Sequence, residues 1–222
     1  MAKVRERIAA AGADPASVRL VAVTKGQPIE AVDAAVRAGV TDLGESYPQE
    51  LVAKVHALDD RADMADGSPG PPARWHFIGR LQRNKVKQVA PLVHLWQSIA
   101  RLSLAAEVAK HAPGAEVLVQ VNVAGAEHQG GCAPARLASV VEGCTDLGLV
   151  VRGVMAIGAQ GPPEEARDGF RTLRRLADRL GLPERSMGMS RDLEVAISEG
   201  ATMLRIGTAL FDPRGGSAAM GN

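Results

Sequence analysis

Two cysteines, three phenylalanines, two tryptophans and a single tyrosine are all that the 222 residues hold of those types. Two cysteines, Cys132 and Cys144, make neither a disulfide framework nor a zinc cluster. Aromatics at 3% leave the core to Val, Leu, Ile and Ala. An excess of either charge is missing too: 26 Lys and Arg stand against 25 Asp and Glu. That balance gives no electrostatic footprint for nucleic acid or an anionic membrane. No run approaches the ~20 apolar residues that cross a bilayer. The opening MAKVRERIAAAGAD is charged and helix-like and lacks an apolar signal core. Together these absences imply a soluble, cytoplasmic protein. The hydrophobic fraction of 46% and charged fraction of 23% are enough to build a core. The length fits one large domain, residues 1–211, ahead of two small ones. The tail DPRGGSAAMGN at 212–222 reads as disordered.

What is present is an alternation. Apolar, β-branched runs occur at 19–25, 42–46, 74–79, 92–98, 116–123, 151–158, 186–190 and 202–208. Between them, PIEAVDAAVRAG at 28–39, 134–144, 164–180 and 191–200 repeat apolar residues at helical spacing or close on glycine. Such alternation predicts an α/β fold with a parallel sheet covered on both faces. Eight strands in a chain this short predict a single (β/α)8 barrel of the TIM type. The seventh run, SMGMS, is short and glycine-containing; without it a doubly wound sheet is the competitor. The Gly- and Pro-rich stretch 61–74 reads as a mobile surface loop.

In a parallel barrel, functional groups collect where strands end. Those positions hold Lys25, Ser46, His76 with Gly79, Ser98, Asn122, Met189 with Ser190, and Arg205 with Gly207 and Thr208. Few carry a carboxylate, and no His, Asp or Glu cluster has metal spacing, which disfavours metal-assisted hydrolysis and paired-carboxylate chemistry. Lys25, in VAVTKGQP, has two readings: a strand-end lysine reaching for water, or a Schiff-base lysine wanted for its amine. The last quarter favours the amine. SMGMSRDLEVAISEG presents Ser190 and backbone amides at a helix start, and RIGTALF sets Gly207 and Thr208 just past the eighth strand. This is where a barrel builds an anion site. Taken singly, Ser190 could simply cap its helix and Gly207 could simply turn the chain. Arg205 shares a face with Gly207; it is suited to meeting a ring nitrogen as a donor, or alternatively to a salt bridge with Glu45 or Asp192.

VAVTKGQP, DLGESYPQE, WHFIGRLQRNK, VQVNV, RGVMAIG and SMGMSRDLEVAISEGATMLRIGTALF, in that order, resemble the pyridoxal-phosphate homeostasis protein family (YggS- or PROSC-like), which is similar to the barrel domain of alanine racemase. The resemblance implies a fold-type III barrel without the second β-domain, and pyridoxal 5′-phosphate as cofactor. It implies that Lys25 holds the cofactor as a Schiff base, and that Ser190, Gly207 and Thr208 bind its phosphate. Arg205 would face the pyridine nitrogen and Met189 would line the pocket. Ser46, His76 and Asn84 would sit near the cofactor or support its loop. Two positions depart from the family pattern: Ser46 where members usually carry Asn, and Gln129 where they usually carry lysine. A racemase of this type needs a tyrosine base from an added β-domain, and the only tyrosine here is Tyr47. The implied role is therefore cofactor storage and delivery, with PLP-dependent apo-enzymes as partners and a monomer as the expected state. The alternatives are an amino-acid racemase, a Schiff-base aldolase, or a barrel that only docks to another protein.

Overall fold

Eight short runs of three to six residues form the strands in a computed structural model that describes residues 1–63, 73–126 and 129–211. They are β1 (Arg19–Val23), β2 (Asp42–Glu45), β3 (Arg74–Phe77), β4 (Leu95–Ile99), β5 (Glu116–Gln120), β6 (Val150–Met155), β7 (Glu184–Ser186) and β8 (Met203–Ile206). Each pairs in parallel with the next, and β8 pairs back onto β1. That last pairing, with Val21 opposite Arg205, closes the barrel and rules out the doubly wound sheet. The loop expected at 61–74 lies mostly outside the described residues, as does the whole of the tail at 212–222.

Every strand but β4 stops earlier than its apolar run. β1, β3, β5, β6 and β8 end at Val23, Phe77, Gln120, Met155 and Ile206, and the residues beyond peel away to form the rim. The seventh strand is a correction. It lies at Glu184–Ser186, and only the first residue of SMGMS belongs to it. Met187–Met189 run on as loop, with Gly188 at φ 93°; a Cβ there would come within 2.5 Å of Ala196 Cβ and 2.7 Å of a Leu204 methyl. Only glycine suits both that backbone and that space.

Helices α1 (Ala2–Ala10), α2 (Ile29–Arg37), α3 (Pro48–Asp63), α4 (Val86–Val89), α5 (Leu102–His111), α6 (Leu137–Asp146), α7 (Arg167–Arg179), α8 (Leu193–Ser198) and α9 (Thr208–Phe211) surround the strands. The longer helices bury one stripe, as α7 does with Phe170, Leu173 and Ala177. Most of the core lies between strands and helices. A small second cluster, Val21, Leu95, Leu118, Met155 and Met203, fills the barrel itself. Buried Glu199 accepts from Arg167 Nη1 at 3.0 Å and Arg171 Nη2 at 2.9 Å, which fastens α7 to the end of α8.

Candidate functional site

Parallel strands bring all eight C-terminal ends to one rim. There, beside β8, β1, β2 and β7, opens a cleft of about 840 Å³ whose walls include Lys25, Ser46, Met189, Ser190, Arg205, Gly207 and Thr208. A second cleft, of about 440 Å³, lies at the opposite end among strand N-termini, with Arg19, Asp42 and Arg74 in its wall. Barrel chemistry belongs to the C-terminal rim, so the first is the candidate site.

Lys25 follows β1 in a turn closed by Gln27 N–H donating to Thr24 O at 2.9 Å. It is exposed and, among the described residues, has no hydrogen bond or ion pair. Its turn is anchored from behind by Lys54 of α3. Lys54 Nζ donates to Thr24 O at 2.6 Å, Glu45 Oε1 at 2.6 Å and Glu50 Oε2 at 2.8 Å. Glu50 also accepts from Gly26 N–H at 2.8 Å. Burial works against Glu50's charge, but the donors from Lys54 and Gly26 outweigh it and hold the carboxyl below its ordinary range. Lys54 was not among the residues expected to matter. Its i,i+4 spacing to Glu50 is visible in the sequence, but such a pair ordinarily reads as a surface ion pair.

Ser46 stands just past β2, where the β3 loop crosses it so closely that a Cβ on Gly79 would overlap the Ser46 backbone. Ser98 Oγ donates to Gly79 O at 2.5 Å and pins that crossing. On the other side of the cleft, the loops after β7 and β8 are stitched together: Ala209 N–H donates to Ser190 Oγ at 3.1 Å. The backbone N–H groups of Ser190 and Arg191 have no acceptor among the described residues, while Met189 N–H is taken by Asp192 Oδ1 at 2.6 Å. Gly207 leaves the cup open, since a Cβ there would only touch Val23 at 3.4 Å.

Arg205 is the buried cation of the site. Nη1 donates to Ser186 Oγ and Nη2 to Ala156 O, each at 2.7 Å. Neither Glu45 nor Asp192 forms a salt bridge with it: Glu45 is taken by Lys54, and Asp192 acts only through its field. Burial pushes the guanidinium down to about 10, with Asp192 partly offsetting it, so Arg205 stays cationic at neutral pH.

Two expectations need correcting. His76 does not line the cleft. It sits within β3 opposite Gly44 and Leu95, one layer below the rim, with its ring enclosed. Asp42 Oδ1 lies 2.9 Å from its Nε2 and Gln97 Nε2 lies 2.7 Å from its Nδ1, so neither nitrogen is left for a ligand. Asn84 is exposed on the helical turn Arg83–Lys85, outside the cleft walls. The polar interior that holds His76 was legible only as isolated residues. Among the described residues, no group of three or more His, Cys, Asp or Glu side chains could hold a metal, and no helix is long and apolar enough to cross a membrane.

Residues 2–214 match the family model described as alanine racemase, N-terminal domain. A protein of Pseudomonas aeruginosa named pyridoxal phosphate homeostasis protein is 43% identical, over 96% of this chain and 92% of its own. One of the same name from Aquifex aeolicus is 40% identical, over 96% of both. The chain belongs to the pyridoxal phosphate homeostasis protein family. A solved structure, PipY of Synechococcus elongatus PCC7942 with PLP bound, superimposes with a TM-score of 0.78 at 31% identity, over 94% of this chain and 99% of PipY. Ser46 and Gln129, the two positions expected to depart from the family pattern, both line the cleft. Gln129 Nε2 donates to Gly158 O at 3.1 Å, and its buried Oε1 has no partner among the described residues.

Proposed function

We propose that this protein binds pyridoxal 5′-phosphate in the rim cleft and serves its intracellular homeostasis, storing and delivering the cofactor from a single barrel domain over residues 1–211 in the cytoplasm. One observation carries the reading: the unpaired amine of Lys25 shares a cleft with an anion cup stitched from two neighbouring loops. When bound, pyridoxal phosphate supplies an aldehyde that condenses reversibly with primary amines. Lys25 would hold the aldehyde carbon. Ser190, Thr208 and the free amides of Ser190 and Arg191, across the cup that Gly207 leaves open, would hold the phosphate by neutral donors. Arg205, cationic and donor-only, would face the ring nitrogen and keep it unprotonated. Met189 and Ser46 would border the ring.

The same residues support a carrier over a racemase. A fully delocalised carbanion calls for a protonated ring nitrogen, which Arg205 opposes. The only tyrosine, Tyr47, is 55% exposed and outside the cleft walls, so no second acid–base group of that kind stands over Lys25. PLP-dependent apo-enzymes are the corresponding recipients.

The test is a visible spectrum of the purified protein incubated with pyridoxal phosphate, followed by borohydride reduction and peptide mapping. A yellow protein with its adduct on Lys25, lost in Lys25→Ala, is expected. A protein that stays colourless, or an adduct elsewhere, overturns the reading. Racemisation of alanine or serine, or retro-aldol cleavage, at even ~1 per second would overturn the carrier role.

A further inference from the structure

Beneath the cleft, four buried side chains connect Arg205 to the far end of the barrel. Arg205 Nη1 lies 2.7 Å from Ser186 Oγ, Ser186 Oγ 2.7 Å from Gln97 Oε1, Gln97 Nε2 2.7 Å from His76 Nδ1, and His76 Nε2 2.9 Å from Asp42 Oδ1. Ser186, Gln97 and His76 are fully enclosed. Asp42 also accepts from Arg74 Nη2 at 2.6 Å and Thr41 Oγ1 at 2.9 Å, at the mouth opposite the cleft.

Chemistry fixes the direction of every link. A guanidinium can only donate, so Ser186 Oγ accepts from Arg205 and must send its own proton to Gln97 Oε1. The Gln97 amide then presents N–H to His76 Nδ1, and its second N–H reaches Met203 Sδ at 3.1 Å. His76 must therefore be neutral, accepting at Nδ1 and donating from Nε2 to Asp42. A reversed Gln97 would leave the Ser186 proton without an acceptor and require a charged His76. The charged and titratable groups facing His76 are Asp42, His94 and Arg19; burial and the last two push its pKa down, while Asp42 opposes them.

We propose that Asp42, His76, Gln97 and Ser186 form a one-directional hydrogen-bond relay that orients the Arg205 guanidinium and shares its charge with the Asp42 carboxylate across the barrel. His76 and Gln97 are then positioning residues for the ring that Arg205 meets. Together with the field of Asp192, this explains how a buried cation without a carboxylate ion pair is tolerated, since an isolated buried charge is costly. The relay belongs to the apo chain; only its effect on the ligand rests on the pyridoxal-phosphate reading.

Two measurements test it. In 15N-labelled apo-protein, long-range 1H–15N correlation should show His76 as the Nε2–H tautomer, staying neutral where free imidazole titrates. An Nδ1–H tautomer, or a His76 that gains a proton in that range, overturns the relay whether or not the cofactor binds. In the loaded protein, Asp42→Asn and Ser186→Ala should each weaken pyridoxal-phosphate binding about five- to tenfold and shift its visible band, and the double variant should lose less than the product. Asp42 is outside the cleft, so a merely local role would lower the melting temperature and leave affinity and band unmoved, which would refute the coupling. If Asp42→Asn does not fold, the apo tautomer decides alone.

Discussion

Lys54→Met is the most demanding perturbation of the wall behind Lys25. The Lys54 side chain is 9% exposed and Glu45 is wholly enclosed, with their charged atoms 2.6 Å apart. Removing the ammonium strands a carboxylate with no access to water. Breaking a buried pair from one side costs about 3–5 kcal/mol. Glu45 keeps two donors, Thr24 Oγ1 at 2.6 Å to Oε1 and Ser46 N–H at 3.2 Å to Oε2, which places the loss near the lower end, about 3 kcal/mol. For a domain of this size that corresponds to a melting temperature lower by about 6–12 °C. Differential scanning calorimetry of the apo-protein measures it. The double variant Glu45→Gln/Lys54→Met should recover much of the loss, because the stranded charge goes with its partner. A Lys54→Met protein within ~1 kcal/mol of the parent would mean that water reaches Glu45, and the account of the Lys25 turn as rigidly backed would be wrong.

Gly188→Ala should cost about 2–4 kcal/mol in chemical denaturation, since it adds a Cβ 2.5 Å from Ala196 Cβ on a φ of 93°; a neutral effect would mean the loop rearranges freely. Asp42 gives an acid signature. Burial opposes its ionisation, yet the donors from His76, Arg74 and Thr41 outweigh that and hold its carboxyl well below the usual range. A depressed folded value contributes stability that is complete above the unfolded value of 3.8 and is lost as pH falls from there through the folded value. Melting curves of the parent and Asp42→Asn should therefore converge as pH drops below about 4, and a gap that persists unchanged would contradict this.

Strand number and the α/β alternation were readable because β-branched runs and 3.6-periodic runs differ in period. Strand ends were not, because the rim segments VNV and AIG carry on the apolar character of the strands they leave. SMGMS misled for the opposite reason: its methionines look like a strand, while the actual β7, Glu184–Ser186, is polar. It is polar because Ser186 turns inward to Gln97 and Arg205, Glu184 meets Arg19 at 3.5 Å and Arg185 meets Asp178 at 3.1 Å. Lys25, Ser190, Arg205, Gly207 and Thr208 came together as expected, since adjacency of β8 and β1 follows from closure alone. His76 was misplaced because its two partners come from β2 and β4, and only the registers across β3 bring Asp42 and Gln97 to its ring.

The exposure of Lys25 has a consequence for release. An enzyme that commits its cofactor to one reaction buries the attachment point, whereas Lys25 lies on an exposed turn of an open rim. Glu50, the carboxylate whose field meets Lys25, is occupied by Lys54 and the Gly26 amide, and Asp192 in the cleft wall accepts from Met189 N–H. With pyridoxal phosphate held at Lys25 as proposed, an incoming primary amine would reach the aldehyde carbon and displace Lys25 without an opening step, and the neutral donors proposed for the phosphate would set how long the cofactor stays. Added amino acid should therefore discharge the loaded protein at a rate proportional to its concentration, followed as loss of the lysine-bound absorption band, with the amino acid recovered chemically and stereochemically unchanged. A discharge rate that saturates at low amine concentration would instead reveal a gating motion of the rim, and the open-cleft account of delivery would fall with it.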